Sequence, residues 1–338
     1  MIGHLRVVAR VHAYPPHHNA GAEWMLHEML RALVVRGHRA EVWLSQWPGS
    51  SEPYEVDGVH VVPPQPGRAY EMTARRAGVL ISHLENVPDA ASLARGYGIP
   101  HIVICHNTFD LTWQPLVTGS TTAAVVNSEW MRAVAEEKFT GAAAFRPGQL
   151  LVVRPPVHPE AYATRPGDAI TLINCTSTKG VGVLAELALR MPNRRFLAVL
   201  GGYGEQQPPA DLPNVEVVEH LDGHRMRDEV YGRTRVLLMP SDYESWGRAG
   251  VEAMASGIPV IAHPTPGLRE SLGQAGIFCD RDDIDAWAKA IEGLDEPGVY
   301  RAAGRRSKAR SKALDPAGDL DGWCRMVEEV GRARASVR

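Results

Sequence analysis

The sequence predicts an α/β chain of two doubly wound units, each a parallel sheet with helices on both faces. Three observations predict it. Apolar runs of four to seven residues recur along the chain, separated by stretches with helical spacing. This alternation breaks at a proline-rich segment, Arg154-Pro155-Pro156-Val157-His158-Pro159, and then begins again. At 338 residues the chain is also long enough for two cores.

The elements follow in order. Residues 5–11, Leu-Arg-Val-Val-Ala-Arg-Val, are rich in valine and read as a strand. Residues 22–36 place Trp24, Leu26, Met29, Leu30 and Leu33 at helical spacing, and Gly37 ends that helix. Strands are expected at 40–44, 59–62, 79–82, 101–105 and 123–127. Ser128 reads as the N-cap of a helix running to Phe139. After the linker, strands are expected at 170–174, 195–200, 215–219, 235–239, 258–262 and 276–279. Helices are expected at 181–190, 225–231, 250–256, 284–293, 301–313 and 320–334. Strands spaced by helices argue βαβ units and parallel pairing. The resulting division is 1–154, a linker at 155–159, 160–318, and a terminal helix and tail at 319–338.

Composition narrows the classes. Apolar residues make up 44% and charged residues 22%, as in ordinary globular chains. A net charge of −3 gives no pull toward nucleic acid or an anionic membrane. The run 305–310 is basic and reads as a solvated helix face, with membrane or polyanion contact as the alternative, so membrane association is open but not indicated. Cys105, Cys175, Cys279 and Cys324 lack zinc or redox spacing, and the first three fall in apolar runs where inert thiols are expected. No run spans a bilayer and no signal peptide is evident, so a cytoplasmic protein is expected. Lysine is rare against arginine, which singles out the loop residue Lys179.

The densest chemistry lies at 241–262. Glu244 and Glu252 stand eight residues apart, with Gly247 and Gly250 between them, flanked by two apolar runs. The chain leaves a buried strand at Met239-Pro240, turns through Ser241–Gly247, and enters a helix, with Glu252 expected about two turns inside. Open α/β sheets bind ligands at such strand-to-helix loops. Unpaired amides and the helix dipole favour phosphate there, and glycine lets backbone approach a ligand. The plainer alternative makes Glu244 a helix-start acid and Glu252 a solvated one.

This segment resembles the Glu-x7-Glu motif of retaining, nucleotide-sugar-dependent glycosyltransferases of the GT-B fold, in the large family-four group. The resemblance implies two Rossmann-like domains facing a central cleft, with the last helix crossing back to the first domain. It implies a hexosyltransferase-type enzyme (EC 2.4) without metal or other cofactor, its co-substrate a UDP- or GDP-linked sugar. The acceptor hydroxyl is left unknown. Glu252 would accept from the ribose, Glu244 would hold the donor sugar, and Trp246, Gly247 and Arg248 would line the nucleotide-sugar site.

Other segments extend the resemblance. Asn174-Cys175-Thr176-Ser177-Thr178-Lys179-Gly180 follows the first strand of the second unit. The family has an arginine and a lysine five residues apart here, both facing the diphosphate. Lys179 matches, whereas Asn174 replaces the arginine, and Arg248 is a candidate for the missing charge. Gly201-Gly202-Tyr203-Gly204 resembles the family's Gly-x-Gly loop, which makes Gly202 a binding candidate. Asn19-Ala20-Gly21-Ala22-Glu23 resembles its first glycine-rich loop, with Gly21 kept and Ala20 in place of the first glycine. Glu23 reads rather as a first-turn acid of the helix. His106 occupies the place of a family histidine that reaches the sugar's reacting face, and a structural loop histidine is the alternative. Thr265–Glu270 resembles the family's later Gly-x-x-Glu turn. Asp280-Arg281-Asp282-Asp283 looks like a metal motif but reads as a helix cap, and no metal is assigned.

Three other readings stay open. A GT-B nucleotide-sugar epimerase would bind the same donor, but no carboxylate set for its acid/base work stands out. A degenerate, non-catalytic nucleotide-sugar-binding protein is motivated by Asn174 and Ala20. A dinucleotide oxidoreductase fits poorly, because no Gly-x-Gly-x-x-Gly follows the first strand.

Overall fold

The computed structural model describes residues 4–47, 49–118, 121–140 and 149–335. The chain divides into two compact units, one of residues 1–18, 22–156 and 316–338, the other of 19–21 and 157–315.

The first unit runs β1 (Arg6–Val11), α1 (Gly21–Val35), β2 (Arg39–Leu44), β3 (Tyr54–Val56), β4 (Val59–Val62), α2 (Ala69–Ala74), β5 (Val79–Ser82), α3 (Val87–Tyr97), β6 (His101–Cys105), α4 (Asp110–Thr118), β7 (Ala123–Val126), α5 (Glu129–Thr140) and β8 (Gln149–Val152). Its eight-stranded sheet has the order β3-β4-β2-β1-β5-β6-β7-β8. Every pairing is parallel except β3 with β4. Alternate residues of β1 divide between faces. Val7, Ala9 and Val11 join the core beneath α1, and Val8 joins the cluster beneath α2 and α3. Ser128 does cap α5, its hydroxyl accepting from the Met131 amide at 3.2 Å.

Within the second unit the order is α6 (Pro159–Tyr162), β9 (Ala169–Ile173), α7 (Val181–Arg190), β10 (Phe196–Val199), β11 (Val215–Val218), β12 (Thr234–Met239), α8 (Arg248–Ala255), β13 (Val260–Ala262), α9 (Pro266–Leu272), β14 (Ile277–Phe278), α10 (Ile284–Gly293) and α11 (Pro297–Ala313). Its six strands lie in the order β11-β10-β9-β12-β13-β14, all parallel. Leu237 and Met239 face one core with α8 and α9, while Val236 and Leu238 face the other with α7 and α10. The helix expected at 225–231 is instead a 3₁₀ turn, Gly223–Arg225, followed by one π-helical turn, Arg227–Tyr231.

The helix α12 (Ala317–Ala335) belongs to the first unit. Trp323, Cys324, Met326, Val327 and Val330 join the core under α1, and the Trp323 indole N–H donates to the Met29 carbonyl at 2.9 Å. Arg36 pairs with Asp321 at 2.7 Å and with Glu328 at 2.9 Å. The Arg154 amide donates to Asp319 at 3.0 Å, fixing the start of the helix beside the end of β8.

Candidate functional site

Sheet topology locates the site in the second unit. From β9 the chain winds outward to β10 and β11, then crosses to β12 on the other side of β9. Strand order reverses between β9 and β12, and the crevice outside the carboxyl ends at such a reversal is the usual ligand site of an open α/β sheet. The loops leaving those two strands are 174–180 and 240–247, which hold most of the residues singled out above.

The two loops are tied to one another. The Lys179 ammonium pairs with Glu244, whose Oε1 also accepts from Ser241 Oγ at 3.0 Å. The Asp242 amide donates to the Thr178 carbonyl at 3.0 Å. The Arg281 guanidinium donates to the Ser177 and Thr178 carbonyls and pairs with Asp242 at 3.2 Å. Arg281 was overlooked in the sequence because the Asp-Arg-Asp-Asp run suggested only a cap. Asp283 does cap α10, accepting from the Ala286 amide at 2.9 Å. Lys179 and Glu244 are thus neither a solvated lysine nor a helix-start acid.

Both loops open helices with no side chain capping the first amides. Gly180 precedes α7 and Gly247 precedes α8. Gly247 sits at φ +82°, a conformation that side chains with a Cβ rarely adopt. Behind this loop, the start of α9 comes so close that a Cβ on Gly267 would lie 2.3 Å from the Glu244 carbonyl oxygen. The Gly-x-x-Glu turn therefore buttresses the loop that carries Glu244.

Glu252 corrects the sequence expectation. Since α8 starts at Arg248, Glu252 lies just over one turn inside, not two, and it is buried. One of its oxygens accepts from Arg248 and the other from the Tyr231 hydroxyl at 2.5 Å. Arg248 also donates to the Tyr162 hydroxyl at 2.9 Å. Its charge is answered by Glu252, so Arg248 does not stand as an open replacement for the missing arginine. Trp246 is a core side chain, 2% exposed, packed with Met239, Val251 and Leu268.

Asn174 follows β9 at φ +72°, unusual for a residue with a Cβ. Its Oδ1 accepts from Gln206 Nε2 at 3.1 Å. Gln206 Oε1 in turn accepts from the amides of Cys175 at 2.9 Å and Gly201 at 2.8 Å. Gln206 therefore ties the ends of β9 and β10, a role no local pattern signalled. The glycine pressed against Asn174 is Gly201; Gly202 is the next residue along and partly exposed.

In the first unit, His106 directly follows β6 and is 9% exposed. Burial pushes its imidazole down to about 4, so it is neutral near pH 7. Gly21 opens α1. Glu23 is a first-turn acid of α1, as expected; it is also buried and lies 3.3 Å from His12. Among the described residues, no group of three or more His, Cys, Asp and Glu side chains is arranged to hold a metal ion. None of the described helices is long and apolar enough to cross a membrane.

Residues 171–296 match the family model described as Glycosyl transferases group 1. That glycosyl transferases group 1 segment begins in β9 and ends just before α11, so it contains both loops. A D-inositol 3-phosphate glycosyltransferase of Xylanimonas cellulosilytica is 31% identical over 156 residues, which is 41% of this chain and 37% of that relative. A glycogen synthase of Mycobacterium tuberculosis is 25% identical over 92% of this chain and 90% of its own length. The solved structure of Anabaena HepE in complex with UDP-glucose superposes with a TM-score of 0.80 at 16% identity, covering 96% of this chain and 100% of that one. The fold is accordingly GT-B: two Rossmann-like α/β units, with a C-terminal helix belonging to the first.

Proposed function

We propose that this protein is a retaining glycosyltransferase that moves a sugar from a nucleoside diphosphate sugar to an acceptor hydroxyl. The observation that carries the reading is the pairing of Lys179 with Glu244 across the strand-order reversal of the second sheet, between two uncapped helix N-termini. The group 1 match over this segment and the UDP-glucose bound to HepE support a nucleotide-sugar donor, UDP- or GDP-linked. In this reading the stretch 160–318 is the donor side and 1–154 the acceptor side.

The chemistry follows from charge. Departure of a nucleoside diphosphate leaves negative charge on the β-phosphate, and groups aimed at it lower the barrier. Lys179 and the first amides of α7 and α8 supply that positive potential. A diphosphate at Lys179 competes with Glu244 for the ammonium and frees a carboxylate oxygen to accept from the donor sugar. Glu252, held by Arg248 and Tyr231, presents a fixed carboxylate to the ribose. Neutral His106 is suited to donate a hydrogen bond at the sugar's reacting face. Retention proceeds through a short-lived oxocarbenium-like ion pair, without a protein nucleophile. The reading needs no metal and places the enzyme in the cytoplasm. The relatives' names differ in acceptor, so the acceptor is left unassigned.

A thermal-shift panel of UDP, GDP, ADP, TDP and CDP tests this reading. Saturation at a hundredfold Kd stabilises by about 2.7 kcal/mol, a shift of several degrees. One nucleotide should shift the wild type and not Lys179→Ala. No shift from any of them, even with the intact sugar nucleotides, would favour a degenerate relative, in which Asn174 has removed the family arginine.

A further inference from the structure

The first sheet has its own reversal of strand order, between β1 and β5, and three histidines stand at its carboxyl edge. His12, His83 and His106 each follow directly the strand region of β1, β5 or β6, and these strands are neighbours in the order β1-β5-β6. Sequence spacing hides this, because 71 residues separate His12 from His83 (83 minus 12) and 23 separate His83 from His106 (106 minus 83). The rings are in contact. His12 stacks on His83 with centroids 4.9 Å apart and planes 12° from parallel. His83 meets His106 at 5.0 Å and 81°, edge to face.

Each ring is fixed differently. His12 lies 3.3 Å from Glu23 and 3.0 Å from Glu85, two carboxylates on different elements. His83 is 2% exposed, and neither of its ring nitrogens has a hydrogen-bond partner among the described residues. Its orientation is therefore set by the rings on either side. His106 is the third member, and the Glu23 carboxylate also acts on it, pulling its imidazole up against burial.

Charge follows the same order. Burial pulls His12 down, but Glu23 and Glu85 outweigh it and hold the imidazole above its ordinary value. His83 is driven well below that value by burial, with His106 and His12 adding to the effect. Burial likewise drives His106 down, against the pull of Glu23 and with a smaller push from His12.

We propose that His12 and His83 are positioning residues for His106: the carboxylate-clamped His12 fixes the ring of His83, and His83 fixes the ring of His106. The proposal rests on the reading of His106 as the sugar-facing histidine. His12 and His83 are not assigned contact with the substrate.

Histidine ring ¹H–¹⁵N correlation spectra of the full chain test it without any need for a donor. In the wild type His12 should be the last of the three rings to lose its proton as pH rises, and His106 should be neutral at pH 7.5 with sharp ring signals. Glu85→Gln removes one side of the clamp. The pH at which His12 loses its proton should then fall, and the His106 resonances should move although residue 85 is remote from that ring in the row. His83→Phe keeps an aromatic spacer and should leave the His106 ring signals sharp, whereas His83→Ala should broaden them as the ring loses its fixed orientation. Unchanged His106 resonances in Glu85→Gln and His83→Ala variants that melt as cooperatively as the wild type would overturn the proposal.

Turnover of the sugar nucleotide selected by the shift panel separates this failure from that of the parent reading. His106→Ala should lose at least tenfold in kcat. His83→Ala should lose a comparable factor with the donor KM unchanged, and Glu85→Gln should move the alkaline limb of the pH profile to lower pH. Full turnover in His106→Ala would remove the sugar-facing role and this proposal with it. Loss in His106→Ala with an unaltered profile in His83→Ala and Glu85→Gln would remove only the positioning pair.

Discussion

Lys179 and Glu244 hold one another across two loops, so a substitution at either has two separable effects. Lys179→Ala should abolish the nucleotide-induced thermal shift while changing the melting temperature of the unliganded protein little, because a partly exposed pair contributes about 0–1 kcal/mol. Differential scanning fluorimetry reads both effects. Glu252 behaves differently. Glu252→Ala leaves Arg248 buried without its carboxylate, which should cost about 3–5 kcal/mol in urea unfolding in addition to raising the donor KM. Its plain sequence context, an acid in an alanine-rich helix, suggested a solvated or ligand-facing residue; only the fold brings Tyr231 and Arg248 to its two oxygens. Protonation of His106 sets a pH dependence. Its folded value of about 4 lies below the unfolded value, so its contribution is fully present above about pH 6.5 and is lost as pH falls from there toward 4. That loss is on the order of 3 kcal/mol. His12 acts with the opposite sign, its contribution present at low pH and lost as pH rises through its raised value. Urea midpoints from pH 7 to 4.5 should therefore fall less steeply in His106→Ala than in the wild type.

Among the elements, the readable ones were those whose apolar pattern and end signals agree. Residues 181–190 and 284–293 form helices over the expected span, since Gly180 and Asp283 mark their starts and each has one apolar face. The strands at 59–62, 79–82 and 101–105 fall as expected for similar reasons. The β3 strand was missed, having three residues and only an antiparallel hairpin with β4 to hold it. Helices α2, α3 and α9 were missed as well: α2 and α9 are short, and the buried stripe of α3, Val87, Ala90, Ala91 and Ala94, is mostly alanine. Local pattern also gave no hint of Gln206 or Arg281, whose partners include backbone atoms of other loops. Arg281→Ala should accordingly loosen the 176–179 loop, which faster amide exchange at Thr178 and Lys179 would show, while the core amides of β9 stay protected. The docking of α12 rests on a large indole, and Trp323→Ala should cost about 3–5 kcal/mol through the cavity and the lost bond to Met29.

Across the whole molecule, the doubling of the βαβ plan was legible because the proline-rich segment interrupts it, whereas the membership of α12 was implied by resemblance alone. The helix carries Trp323, Val327 and Val330 for a core otherwise made from residues in the first half of the chain. The two units should therefore respond differently to removal of 316–338. Calorimetry should show the transition of the first unit lowered or lost, and that of the second, whose two cores draw only on 157–314, little changed.

The same helix places a constraint on biosynthesis. Met29 leaves the ribosome early, yet the indole that binds its carbonyl is encoded 294 residues later. Between the two, the segment 157–315 is made, and at about 5–20 residues per second its translation takes roughly 10–30 s. During that interval the core under α1 lacks the indole that fills it in the folded chain. The first unit, most of whose residues precede 157, is therefore completed only after the last residue of the second.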